Sequence, residues 1–474
     1  MCLGEKLRNQ EVVIFAVSCC HRFIIPKLFT TPVACSLVLI WAQIDCYAVQ
    51  LFSASSVRIW TWLEYLYVVV LLGLLTQGPV LKIWEASGQL DSNIIDITKF
   101  ATYLVVQIPA LILLSHRGIP SSLLRGPAGV LLAFCGWMLI STVWATLSSY
   151  SLIESVSLFV TCLAGLYIAR SFTLFQQLSL FLVAMQPGLL VSYYAIHHNW
   201  SNAVNFEENY WIGIYFNRNS LAPPAVLGLL AALALLWIVI LRQPRFWLSI
   251  SIVLVSFVIF DSLLLLQSKS STSLGAGLVF VATWGFWTII RSAKRKNYLV
   301  ANQTLQKIYF GFLIGCSLLI LAVFRFQKFF LALIGRELDF NGREILWGVS
   351  FAGFSEKPLL GWGWMSAWHT PNFFKIPTAH MLTEFGYQWS HSGIMDVLLG
   401  GGVIGAGLLA VAIIWGGSRQ LSQVCTQTAG QWTFAATWFV IAASTQESFI
   451  VGNHFLWLLL VASMAGSRNE TMEV

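Results

Sequence analysis

The chain has 474 residues, of which 57% are hydrophobic and only 10% charged, and its mean hydropathy is +0.75. That composition excludes a set of soluble domains and implies an all-α polytopic membrane protein. The formal net charge of +7 is read as the basic residues of inner loops, so no nucleic-acid partner is expected.

A membrane-spanning helix needs roughly 20 apolar residues. Residues 11–28 are a weak candidate, because Arg22 and Lys27 interrupt them. Stronger runs lie at 32–52, 59–78, 98–115, 127–146, 151–168, 173–194, 221–241, 246–266, 272–290, 307–325, 394–416, 432–447 and 453–468. Together they predict about 12–14 transmembrane helices, an even number placing both termini inside. No stretch has the pattern of a cleaved signal peptide, so insertion is expected through the spans themselves. Arg242 and Arg245, the cluster Arg291, Lys294, Arg295 and Lys296, and then Arg419 and Arg468 mark the cytoplasmic side. Counting from them, residues 195–220, 267–272 and the long segment 326–393 fall on one outer face. Nine cysteines, most within apolar runs, show neither a disulfide framework nor metal-ligand spacing, and no metal or cofactor is expected.

The segment 326–393 is too long for an ordinary connection and too aromatic for a solvated linker. Trp347, Trp362, Trp364, Trp368, Phe373, Phe374, Tyr387 and Trp389 lie in it, and Ile345, Leu346 and Val349 fit a short amphipathic helix before Pro358. Two readings of the rings stand side by side: interfacial anchors, or a platform for sugar faces that includes Trp362, Trp364 and Trp389.

At the end of that segment, Ser390-His391-Ser392-Gly393 meets an apolar helix running through Gly400-Gly401-Gly402-Val403-Ile404-Gly405. Ser390 or Ser392 can cap the first turn, and the positive end of the helix disfavours a protonated His391, leaving a usable base. The bland alternative is a helix N-terminus whose Gly401 and Gly405 form a packing face. Three cations belong to the same outer side. Arg343, delivered by the turn Asn341-Gly342, suits a pyrophosphate with its guanidinium fork, or else pairs with Glu344 or Glu356. Lys269 lies in the hydroxyl-rich turn Gln267–Ser273, as a ligand or a snorkelling anchor, and Arg218 precedes a helix start that Asn219 or Ser220 would cap.

Other ionisable residues have weaker claims. His380 and Glu384, at helical spacing, could bind an acceptor or assist a base, while His369, His454 and the pair His197-His198 rank lower. Asp45, Glu64, Glu154, Asp261, Asp396 and Glu447 fall within or at the ends of spans, where a carboxylate is costly and a functional role is the default reading, the alternative being that those near span ends simply reach the headgroups. Asp396, five residues after His391, does not share its helix face.

Three of these stretches together resemble the O-antigen ligase superfamily, which also contains O-antigen polymerases. His391-Ser392, nine residues, then Gly402-Val403-Ile404-Gly405 is similar to its H-[NSQ]-x9-G-x-x-G signature. Gly342–Trp347 with Pro358–Gly363 resembles its arginine segment, and Asn217–Ala222 its asparagine-rich helix start. The resemblance covers about residues 200–416, and it departs from the family where Lys269 stands in a turn that commonly carries arginine.

The resemblance implies N-terminal helices over 1–194, a catalytic region over 195–416 and C-terminal helices over 417–474. It implies a plasma-membrane glycosyltransferase moving a glycan from an undecaprenyl-pyrophosphate donor to an acceptor hydroxyl on a glycan, lipid or cell-wall component at the outer face. His391 would be the base, Arg343, Lys269 and Arg218 the pyrophosphate ligands, and Ser392, Gly402, Gly405 and Asn219 the structural motif. A polymerase using a second lipid-linked repeat shares this donor chemistry. A polysaccharide or lipid transporter is a more distant reading, and a structural scaffold more distant still.

Overall fold

The computed structural model describes residues 55–81, 97–119, 121–295, 307, 311, 343–371, 373–375, 389–424 and 428–466. The candidate spans at 32–52 and 307–325 lie outside them almost entirely, as do His380, Glu384 and Asp45. The described residues form an all-α membrane protein, in which six helices are long and apolar enough to cross a bilayer and three more apolar helices are shorter.

In chain order the main helices are α1 (Ser55–Leu75), α2 (Ile97–Arg117), α3 (Pro127–Ile140), α4 (Ser148–Ser171) and α5 (Leu174–His197). A hairpin of two short strands, β1 (Val204–Asn205) and β2 (Tyr210–Trp211), leads to α6 (Arg218–Arg242), α7 (Trp247–Ser268) and α8 (Ser271–Arg295). Then come α9 (Arg343–Glu356), α10 (Gly393–Val424), α11 (Thr428–Ser444) and α12 (Phe455–Ala465). Local chemistry accounts for several starts. Pro127 opens α3, where its missing N–H costs nothing. Thr173 and Gln176 form a reciprocal capping box on α5.

α6 packs between α5 and α7, α3 lies along α10, α12 against α4, and α8 against α11. Two polar ties join helices, one partly exposed and one buried, and they account for two of the carboxylates placed in spans. Glu64 of α1 accepts from Tyr167 of α4 at 2.6 Å and from Arg117 of α2 at 2.7 Å. Asp261 of α7 accepts from Gln186 of α5 at 3.1 Å, in a slot where Gly228 of α6 has no room for a Cβ. Both read as fasteners, and for the fully buried Asp261 a carboxylate without such a partner would be expelled or neutralised.

α3 is shorter than the apolar run 127–146, because it gives way to a 3-10 turn at Ser141–Val143. α10 departs further from a simple span. It breaks at Gly402, whose φ of 62° and ψ of −162° lie outside the helical region.

Candidate functional site

Five chain segments end at one place: the starts of α6, α9 and α10, the α7–α8 turn, and the stretch after α11. They are joined by one carboxylate. Glu447 Oε1 accepts from the Arg343 guanidinium and from Asn219 Nδ2 at 2.7 Å, while Oε2 faces His391 Nδ1 at 3.1 Å. Asn219 Oδ1 in turn accepts from the Ser270 hydroxyl at 2.8 Å. Side-chain exposure is 11% for Arg343, 10% for Glu447 and 24% for His391, so the cluster opens outward at the imidazole.

The backbone around His391 explains its aim. Asp396 accepts from Ser390 N at 2.9 Å and from the Ser448 hydroxyl, and Gly393 N donates to the Glu447 carbonyl at 3.0 Å. Ser392 Oγ caps the first turn of α10 through Met395 N at 3.5 Å. Pinned on both sides, His391 adopts φ +49°, a left-handed conformation costing about 1–2 kcal/mol that histidine tolerates better than most side chains. A carboxylate can only accept, so the geometry assigns the proton to Nδ1 and leaves the neutral ring's lone pair on Nε2. The half-buried Trp389 ring lies 5.8 Å from the imidazole.

The remaining two cations meet at the hairpin. Arg218 contacts the Glu208 carboxylate at 3.3 Å and lies 4.7 Å from the centre of the Tyr210 ring, while Lys269 Nζ donates to the Glu208 carbonyl at 3.3 Å. Lys269 has φ +51° and closes the C-terminus of α7. Because Arg218 precedes Asn219 and Lys269 precedes Ser270, the Asn219–Ser270 bond places this pair beside the Glu447 cluster. The three outer segments expected to share a side therefore converge.

The broken helix α10 is held by its neighbours. Breaking a helix orphans carbonyls on one side and amides on the other, which hydrocarbon cannot satisfy. Here Trp362 N donates to Leu399 O at 2.8 Å, Gly363 N to Gly400 O at 3.1 Å, Trp137 Nε1 to Gly401 O at 2.8 Å, and Val403 N to Pro358 O at 2.8 Å. The segment Pro358–Gly363 and the Gly402–Gly405 run are thus one structural unit. Gly361, with φ +70°, permits it: a Cβ there would lie 2.6 Å from Gly400 O. Gly401 and Gly405 meet Met138 and Trp137 of α3, the helix-packing face their spacing suggests.

Several sequence assignments need correction. Trp362 and Trp364 do not form a sugar platform. Trp364 is 0% exposed with its ring 6.5 Å from Phe134, and Trp362 packs edge-on to Phe373 in a small core beneath the loop. Trp389 remains beside the site. Arg343 pairs with Glu447, which the sequence reading did not name as its partner. Asn217, not Asn219 or Ser220, caps α6, accepting from Ser220 N at 2.9 Å, which frees the Asn219 amide for Glu447. His454 caps α12 through Leu456 N. His369 packs against Tyr150 with ring centres 4.5 Å apart, and burial lowers its pKa. His197 and His198 lie against Tyr193 and Tyr194.

Sequence reasoning named Glu447 among six carboxylates in or beside spans but did not assign it to this site. Its signal was a carboxylate at the end of an apolar run, indistinguishable there from five others. No protein-family model matches the chain, and no curated protein matches it. Chemically, the arrangement offers an oriented imidazole beside three cations, enough to remove a proton and to receive a developing polyanion.

Proposed function

We propose that the protein is a membrane glycosyltransferase of the O-antigen ligase type, working at the outer interface of the plasma membrane on an undecaprenyl-pyrophosphate-linked glycan. The observation that carries this reading is the single carboxylate, Glu447, that binds both His391 and Arg343. It ties the base and the leaving-group cation to one site, and glycosyl transfer from a pyrophosphate uses a group of each kind. His391 Nε2 takes the proton of the acceptor hydroxyl as that oxygen bonds to the anomeric carbon. The bond from that carbon to the pyrophosphate oxygen breaks, and the electron pair leaves with the pyrophosphate. Arg343, Arg218 and Lys269 stabilise the charge that gathers there. Direct displacement inverts the sugar carbon.

The broken helix α10 favours a second reading, transport, because interrupted helices line the binding sites of many transporters. Reconstitution of the full chain with a defined undecaprenyl-pyrophosphate glycan, followed by mass analysis, separates the readings. A glycan on a new acceptor supports the ligase, a lengthened lipid-linked glycan supports a polymerase, and an unchanged donor that crosses the bilayer rejects glycosyl transfer.

A further inference from the structure

Away from the His391 cluster, α3 and the second half of α10 enclose an open groove of about 520 Å³. Gly129 and Ala133 of α3 and Gly407 of α10 line it, and it runs along α10 from Val403, just past the break, to Trp415. Twelve residues of helix span about 18 Å, close to the depth of one hydrocarbon leaflet, about half of 30 Å. Val403 and Trp415 are 50% and 45% exposed, so the wall is apolar and open to the membrane.

The groove also has a charged end. Arg125 lines it beside the start of α3, and among the described residues no carboxylate lies within ion-pair range of its guanidinium. This end is remote from His391: Gly416 lies against Pro127 at the start of α3, whereas Gly401 lies against Met138 near its finish. Trp415 at the same end is of the type that settles at the headgroup level. A one-leaflet apolar slot with an unneutralised guanidinium at its mouth is complementary to a long chain bearing a phosphate.

We propose that the α3–α10 groove binds an anionic phospholipid of the leaflet opposite the His391 cluster, an acyl chain lying along Gly407 and the phosphate on Arg125. This inference does not rest on the glycosyltransferase reading. It is tested on the full chain in mixed micelles containing phosphatidylglycerol or phosphatidylcholine, with bound lipid counted by native mass spectrometry. Wild type should retain phosphatidylglycerol about fivefold better, the contribution of one cation near an anionic headgroup. Arg125→Gln should remove that preference while still binding both lipids. Gly407→Leu, whose Cβ meets no heavy atom within 4 Å, should fold normally by circular dichroism and lose retention of both. Equal retention of the two lipids by wild type would overturn the proposal. So would cross-linking of Gly407→Cys to another segment of this chain or to a second copy, since protein would then cover the groove.

Discussion

His391 and Glu447, 56 positions apart, meet through ring Nδ1 and carboxylate Oε2 at 3.1 Å, and the same carboxylate holds Arg343 through its other oxygen. If this contact sets the tautomer, Glu447→Gln should let the amide donate to Nδ1 and drive the ring proton to Nε2, where it blocks the base. The expected fall in kcat is about 10²–10⁴-fold with KM little changed, as when a tautomer-holding carboxylate becomes an amide elsewhere. Nitrogen NMR of the imidazole should show the tautomer switch, which a merely structural role would not produce. His391→Ala should abolish transfer with insertion intact, and near-normal turnover there would remove the base assignment.

Arg343→Lys should lower transfer by more than about tenfold, because an ammonium cannot fork between Glu447 and a phosphate. Alanine is a poor test: stranding a buried partner costs about 3–5 kcal/mol and confuses chemistry with folding. An unaltered rate for the lysine variant would reduce Arg343 to a structural tie.

Glu208 lies where a phosphate would contact Arg218. Its side chain is 63% exposed, so the pair contributes little to stability and a ligand can displace it. Glu208→Gln should leave the thermal midpoint unchanged and lower the KM for donor severalfold. Lys269→Arg should keep full turnover. A KM that stays put in Glu208→Gln would mean the donor never reaches the hairpin.

Gly402→Ala tests the helix break. The new Cβ would lie 2.3 Å from Leu359 O at a φ of 62°, and the strain alone is about 1–3 kcal/mol. A clear drop in thermal midpoint is expected, together with lost activity as α10 straightens or shifts. Gly407→Ala, in open space on the same helix, should be neutral or slightly stabilising. Equal midpoints for the two variants would show that the break is not required.

His369 gives a pH dependence. Burial lowers its pKa, and its Nε2 has no hydrogen-bond partner among the described residues. Below about pH 6.5 the unfolded chain therefore binds a proton that the folded one resists, so stability is present above that pH and declines as it falls. The thermal midpoint should drop between about pH 7.5 and pH 5, and His369→Phe, keeping the ring against Tyr150, should flatten that slope. An identical slope in both proteins would assign the effect to other groups.

Much of the fold was legible because hydrocarbon imposes a simple rule on sequence. The starts of α9 and α10 and the packing face of Gly401 and Gly405 followed from apolar run lengths, caps and spacing, whereas the gathering of Arg218, Lys269, Arg343 and His391 at one site was implied by the family resemblance. Trp362 and Trp364 were misread for a corresponding reason: an aromatic ring in a loop has the same composition whether it faces water or a small core.

By itself the sequence determined that this is a helical membrane protein, since each backbone must satisfy its own hydrogen bonds in lipid. Tertiary structure alone decided that Glu447 is the common partner of His391, Arg343 and Asn219, and that α10 breaks at Gly402 against Pro358–Gly363. Those outcomes depend on groups brought together from 37 to 228 positions apart, and nothing local to Glu447 or Gly402 encodes the distance or direction of its partner.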